Sequence, residues 1–211
     1  MRGFPGRELS LDPGRSKFER LYANLLGAPA NGLRIRLRRV LPATAGSYRT
    51  ILDAGCGSGV FSFELAKRHP EAQVTGVELE PELVARANEI ARRAHLANCR
   101  FQQGDVTKLD FDDEFDLVTA TEVLEHVSDP ELVLTEMARV ARGYLLVSVP
   151  REPLWRALNV VRGAYVRELG NTPGHLNHWS RGAFEALLGR FGMVVATRSP
   201  FPWTMLLVQV G

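Results

Sequence analysis

Three glycines at alternate positions behind an aspartate, Asp53-Ala54-Gly55-Cys56-Gly57-Ser58-Gly59, separate a short apolar run, Thr50–Ala54, from a helix-like segment over 58–68. A strand that ends in such a bend and runs straight into a helix opens a strand–helix–strand unit, the building block of parallel sheets. The rest of the chain keeps the same alternation. Strand patterns fall at Gln73–Leu79, Arg100–Gln103, Phe115–Ala120 and Tyr144–Val149, and again near 193–198 and 204–210. Helical patterns fall at Pro81–His95, with Leu83, Ala87, Ile90, Ala91 and Ala94 as the buried stripe, and at Pro130–Ala141 behind an Asp129 cap. Two more fall at Leu154–Arg162 and Arg181–Phe191. The expectation is an α/β fold, doubly wound, with a seven-stranded mostly parallel sheet and helices on both faces. Ligands of such sheets bind outside the carboxyl ends of the strands, where the strand order reverses. Functional residues are therefore sought in the loops after the first five strands.

A chain of 211 residues can bury one large core. Residues 46–211 are read as that domain, with a lid-like insertion over about 151–179 where the alternation breaks. Residues 1–45 are read as an N-terminal helical extension, in which Leu33, Leu37, Val40 and Leu41 face away from Arg34, Arg36, Arg38 and Arg39. That basic helix can serve as a solvated face or as a peripheral contact with an anionic membrane. A hydrophobic fraction of 45% with 24% charged residues excludes disordered and fibrous classes. A net charge of +2 does not call for nucleic acid. Cys56 and Cys99 form no metal or disulfide framework, the amino terminus carries no apolar leader, and no run reaches the roughly 18–20 apolar residues of a spanning helix. A cytoplasmic location is expected.

Spacing narrows the ligand of the glycine bend. A dinucleotide fingerprint requires a third small residue where Val60 stands, which disfavours a nicotinamide oxidoreductase, and no lysine of a phosphate-cradling loop is present. Glu78 follows Gly55 by 23 residues at the end of the second strand, where a carboxylate can accept both hydroxyls of a ribose. Gly104-Asp105 ends the third strand. In motif order and content, residues 50–150 resemble the class I S-adenosylmethionine-dependent methyltransferases, whose sheet is Rossmann-like. The resemblance implies S-adenosyl-L-methionine as cofactor, held by Asp53, Gly55, Gly57, Gly59, Glu78 and Asp105, the last at the adenine amine. Thr121 would approach the methionine end.

The fourth strand runs into Glu122-Val123-Leu124-Glu125-His126-Val127, beside the place where that fold holds the reactive methyl. Three roles are open to the polar residues here. Glu122, Glu125 and His126 can cap and cross-link the loop, His126 can act as general base on an acceptor hydroxyl, or the three can bind a divalent cation such as Mg2+, Mn2+ or Zn2+. E-x-x-E-H followed about fifty residues later by His175-Leu176-Asn177-His178-Trp179-Ser180-Arg181 resembles metal-dependent members of the family, among them small-RNA 3′-terminal 2′-O-methyltransferases and ubiquinone-pathway O-methyltransferases. By position, Glu122, Glu125, His126 and His175 would then be the metal ligands.

On the acceptor side, Leu154, Trp155, Leu158, Val161 and Tyr165 follow helical spacing, with Arg151, Arg156, Arg162 and Arg167 interspersed. An apolar pocket rimmed by arginine suits a hydrophobic or acidic small molecule, although the same stripe also fits a helix packed on the sheet edge. The expected activity is methyl transfer to a small-molecule acceptor, with oxygen favoured over nitrogen or carbon. Its rivals are metal-dependent 2′-O-methylation of an RNA 3′ end, for which no RNA-binding motif speaks, and a non-catalytic cofactor-binding scaffold.

Overall fold

The computed structural model describes residues 48–112, 115–161, 163–199 and 202–211. The N-terminal extension expected over 1–45, with its basic helix and membrane contact, lies outside the described residues.

Strands β1 (Thr50–Ala54), β2 (Gln73–Glu78), β3 (Cys99–Gln103), β4 (Phe115–Thr121), β5 (Ala141–Pro150), β6 (Met193–Arg198) and β7 (Trp203–Gln209) form one sheet in the order β3-β2-β1-β4-β5-β7-β6. The first five strands run parallel, and β7 runs antiparallel to both β5 and β6. Only four residues separate β6 from β7, too few for a crossover, so that pair must be antiparallel. The helices are α1 (Val60–Arg68), α2 (Pro81–Arg93), α3 (Pro130–Val140), α4 (Leu154–Val161) and α5 (Arg181–Leu188). The sheet grows outward from β1 to β3, then the chain returns to lay β4 on the other side of β1. Between β1 and β4 lies the switch point, with Asp53 in register with both Gly76 and Thr119.

Alternation along the central strands builds two cores. Leu52, Ala54, Val118, Ala120, Leu145 and Val147 point to one face and pack with Val133, Leu134 and Met137 of α3 and with Phe184 and Leu188 of α5. Ile51, Leu117, Leu146 and Leu207 point to the other, against Phe61, Phe63 and Leu65 of α1 and Ala87 and Ala91 of α2. Strands buried on both faces read as continuous apolar runs, which is why their positions are plain in the sequence.

Helix ends follow local chemistry. The Asp129 side chain accepts from the Leu132 amide at 3.0 Å, the expected cap of α3. Helix α1 starts at Val60, two residues later than the expected 58, because Gly59 takes a left-handed φ of 79° as its N-cap. The stripe expected on α4 needs correction: Val161 is 85% exposed, and the one fully buried residue of that helix is Asn159. Its Nδ2 donates to the Gly170 carbonyl at 2.7 Å and to Thr172 Oγ1 at 3.1 Å, tying the helix to the loop that follows. A polar pin therefore fixes this segment where an apolar stripe was expected.

Candidate functional site

The bend after β1 is held from three sides. The amides of Gly55 and Cys56 both donate to the Val77 carbonyl of β2, at 2.9 and 3.0 Å. The Gly57 amide donates to Glu78 Oε2 at 2.8 Å, while Glu78 Oε1 accepts from the Leu79 amide at 2.9 Å. Asp53 supports the bend from beneath. It is 1% exposed, and its two carboxylate oxygens accept from Ser62 Oγ at 2.5 Å and Thr119 Oγ1 at 2.8 Å. Burial pushes its pKa up to about 6 against the pull of those two hydroxyls. Asp53 is thus placed to shape the loop rather than to touch a ligand.

Two of the glycines differ in what surrounds them. A Cβ at Gly59 would meet the Phe101 ring at 2.7 Å, so that position is closed by packing. A Cβ at Gly57 would meet nothing within 4 Å, although the φ of 53° is left-handed. Gly57 therefore presents bare backbone to open space, the surface a ligand needs in order to lie against the chain. Leu79, which follows Glu78 in sequence, is an apolar side chain 60% exposed. Asp105, after β3, is exposed; its Oδ1 accepts from the Thr107 amide and from Thr107 Oγ1, both at 2.8 Å, and these bonds hold its carboxyl below the usual range. Thr121 ends β4, in register with Ser148 of β5.

Beyond β4 the polar residues divide into two groups. Ligand atoms of Glu125, His126 and His175 all lie within 4.8 Å of one another. Glu122 is not brought to them. It adopts a left-handed φ of 60°, its Oε2 accepts from Trp203 Nε1 at 2.7 Å, and its Oε1 accepts from Ser148 Oγ at 3.4 Å. Of the four residues the sequence grouped as ligands, the structure gathers three.

The histidine loop is docked on the EVLEHV segment mainly through backbone. The amides of Leu176 and Asn177 donate to the Glu125 carbonyl, and Asn177 Nδ2 donates to the carbonyls of Leu124 and Val127. His126 Nδ1 lies 3.0 Å from the Gly174 carbonyl. A carbonyl only accepts, so Nδ1 carries the proton and the Nε2 lone pair is left for chemistry. Burial, then the neighbouring His126 and His178, lowers the His175 pKa to about 4. Its imidazole is neutral at ordinary pH.

Aromatic rings join the two groups. Trp203 lies 5.8 Å from Trp155, whose ring stacks on His175 at 6.4 Å with 19° between planes; His175 in turn meets His126 edge-on at 4.8 Å. Trp155 is itself anchored by its indole N–H to Thr172 Oγ1 at 2.9 Å. Trp203 and Leu79 went unnoticed in the sequence. Leu79 adjoins Glu78 in sequence and could have been flagged, whereas nothing local links Trp203 to Glu122, 81 residues away.

The donor sets can be tested for fit. The open bend at Gly57 with a carboxylate beside it suits a ligand carrying a sugar and a polar tail. Two imidazoles and a carboxylate suit a borderline divalent cation, although bonds of about 2.1 Å would require the three to close up by roughly an ångström.

The family of proteins described as "Methyltransferase domain" matches residues 46–181. An uncharacterized methyltransferase of Schizosaccharomyces pombe is 39% identical over 104 residues, 45% of this chain and 37% of that protein. A ubiquinone biosynthesis O-methyltransferase of Methylococcus capsulatus is 31% identical over 175 residues, 75% of this chain and 72% of its own length. The chain spans 37% of the one relative and 72% of the other. The crystal structure of magnesium protoporphyrin IX methyltransferase from Synechocystis with bound S-adenosylhomocysteine (SAH) superposes with a TM-score of 0.70 at 20% identity, covering 98% of this chain and 93% of that one. That likeness is one of fold.

Proposed function

The chain belongs to the class I S-adenosylmethionine-dependent methyltransferases, and on that basis we propose that it methylates a hydroxyl of a small, apolar, ring-bearing acceptor. The carrying observation is the aromatic run Trp203–Trp155–His175, which leads from the Glu122 carboxylate to the His126 imidazole. Trp203 and His175 are buried, so the half-buried Trp155 between them gives this wall its accessible face, on which a flat apolar molecule lies well. The name of the Methylococcus relative favours oxygen as the methylated atom.

When bound, S-adenosylmethionine supplies a methyl group already activated on a sulfonium. The backbone of the bend at Gly57 and the Glu78 carboxylate would hold its polar tail and ribose, Leu79 would cover its base, and Asp105 would offer an acceptor oxygen at the end of β3. Thr121 would stand toward its methionine end. The chain's task is then to bring acceptor and methyl into line, which supplies much of the rate. His126 Nε2 would take the proton of the acceptor hydroxyl as that oxygen is methylated. The Gly174 carbonyl fixes the tautomer that makes this transfer feasible. Residues 151–179 cover the acceptor.

A second arrangement is favoured by the closeness of Glu125, His126 and His175. These three would hold a divalent cation such as Mg2+, Mn2+ or Zn2+, which would lower the acceptor pKa in place of a base.

A turnover screen with labelled donor tests both arrangements. The acceptors are phenols, catechols and a short RNA, each with Mn2+ and with excess EDTA. Methylation of a phenol or catechol is expected. Loss in EDTA with rescue by Mn2+ selects the cation, and full rate in EDTA selects His126 as base. Methylation of RNA alone contradicts the small-molecule acceptor.

A further inference from the structure

We infer that Trp203 is a positioning residue of the acceptor site, acting through Glu122: its indole N–H holds that carboxylate at the head of the aromatic wall and apart from the Glu125–His126–His175 cluster.

Glu122 occupies a position where the backbone alone would not keep it. A left-handed conformation is strained for a non-glycine residue and persists only when the surroundings hold it. Those surroundings are specific. The Glu122 amide donates to the Ser148 carbonyl at 3.1 Å, and both carboxylate oxygens accept, one from Trp203 Nε1 at 2.7 Å and one from the Ser148 hydroxyl at 3.4 Å. The indole bond is the short one, and its acceptor is a carboxylate, the stronger class of hydrogen bond.

Trp203 is itself well fixed. It opens β7 in register with Pro150, its ring is buried, and Trp155 of the lid helix packs beside it. One ring therefore does two things. Its N–H fixes the orientation of an acidic group at the acceptor end of β4, and its face joins the lid's aromatic wall. The carboxylate can accept from a second polar hydrogen of an acceptor lying on that wall, while His126 faces the reacting hydroxyl. This role rests on the acceptor site proposed above.

The test uses the full chain labelled with 15N-tryptophan and saturated with SAH. Three tryptophans give three indole N–H signals. The signal absent from W203F is expected to move in E122Q, while the Trp179 signal stays. With catechol as acceptor, W203F is expected to lose about ten- to hundred-fold in kcat/KM, with SAH affinity unchanged within about two-fold. Phe retains the ring and its packing, so a folded variant is expected. In an E122A background the W203F change should add no further loss, because both act through one contact. An unmoved indole signal in E122Q, wild-type kcat/KM in W203F, losses that multiply in the double variant, or an SAH-bound wild type that leaves catechol unmethylated overturns the inference. Failure to bind SAH at all contradicts instead the cofactor site on which it rests.

Discussion

The amide of Gly57 donates to the Glu78 carboxylate at 2.8 Å, across 21 residues of sequence. That bond ties the bend after β1 to the end of β2 and puts bare backbone and an acidic group side by side at the carboxyl ends of two neighbouring strands. A ligand reaching this crevice meets both at once. Gly57 and Gly59 make separate contributions here, and substitution can tell them apart.

Gly57→Ala places its methyl in open space at a left-handed φ, so folding should suffer by only about 1 kcal/mol. SAH affinity should fall sharply, because the methyl occupies the cradle. Gly59→Ala drives a Cβ into the Phe101 ring at 2.7 Å and should lower the melting temperature markedly. Thermal unfolding beside calorimetry separates the two. Equal effects on stability would contradict the assignment.

Burial lets Asp53 keep its proton up to about pH 6, well above the ordinary 3.8 of an aspartate. Its folded-state pKa is raised, so its stabilising contribution is complete below pH 4 and is withdrawn as pH rises through 6. The change amounts to roughly 3 kcal/mol at most. Asp53→Asn, which cannot ionise, is expected to flatten the stability–pH curve between pH 4 and 6. Chemical denaturation across that range measures it.

His126→Gln removes the Nε2 lone pair proposed to take the acceptor's proton. A general base contributes about 10²–10⁴-fold, so kcat should fall by that order while SAH affinity holds. A variant with wild-type kcat would place the proton transfer elsewhere.

The parts of this protein that were legible in sequence are those fixed by short-range rules. Strand runs such as Thr50–Ala54, the Asp129 cap and the glycine spacing each declare themselves within a few residues. What was not legible depends on contacts between distant segments. Glu122 reads as one of a ligand quartet with Glu125, His126 and His175, yet a left-handed backbone and an indole from the last strand draw it away. Asp53 reads as a cofactor ligand from its place before the glycines. Only the hydroxyls of Ser62 and Thr119, one from α1 and one from β4, reveal that it faces inward. In α4 the apolar spacing was real, but the segment is fixed by Asn159, whose partners lie beyond the helix.

Asn159→Ala removes both of those bonds from a buried site and should loosen the loop at Gly170–Thr172 without unfolding the sheet. Faster amide hydrogen exchange is expected at Gly170 and Asn171, whose amides bond within the same loop, with exchange in β4 and β5 unchanged. Uniform acceleration would mean that this loop does not open separately from the sheet.

Titration of the wild-type chain with SAH, compared with Glu78→Ala, tests the central claim most directly. Saturable one-to-one binding is expected for the wild type, weakened by about ten- to hundred-fold when the ribose loses its carboxylate partner. A wild type that releases no heat, or an alanine variant that binds equally well, would show that the site at the ends of β1 and β2 does not hold the methyl donor.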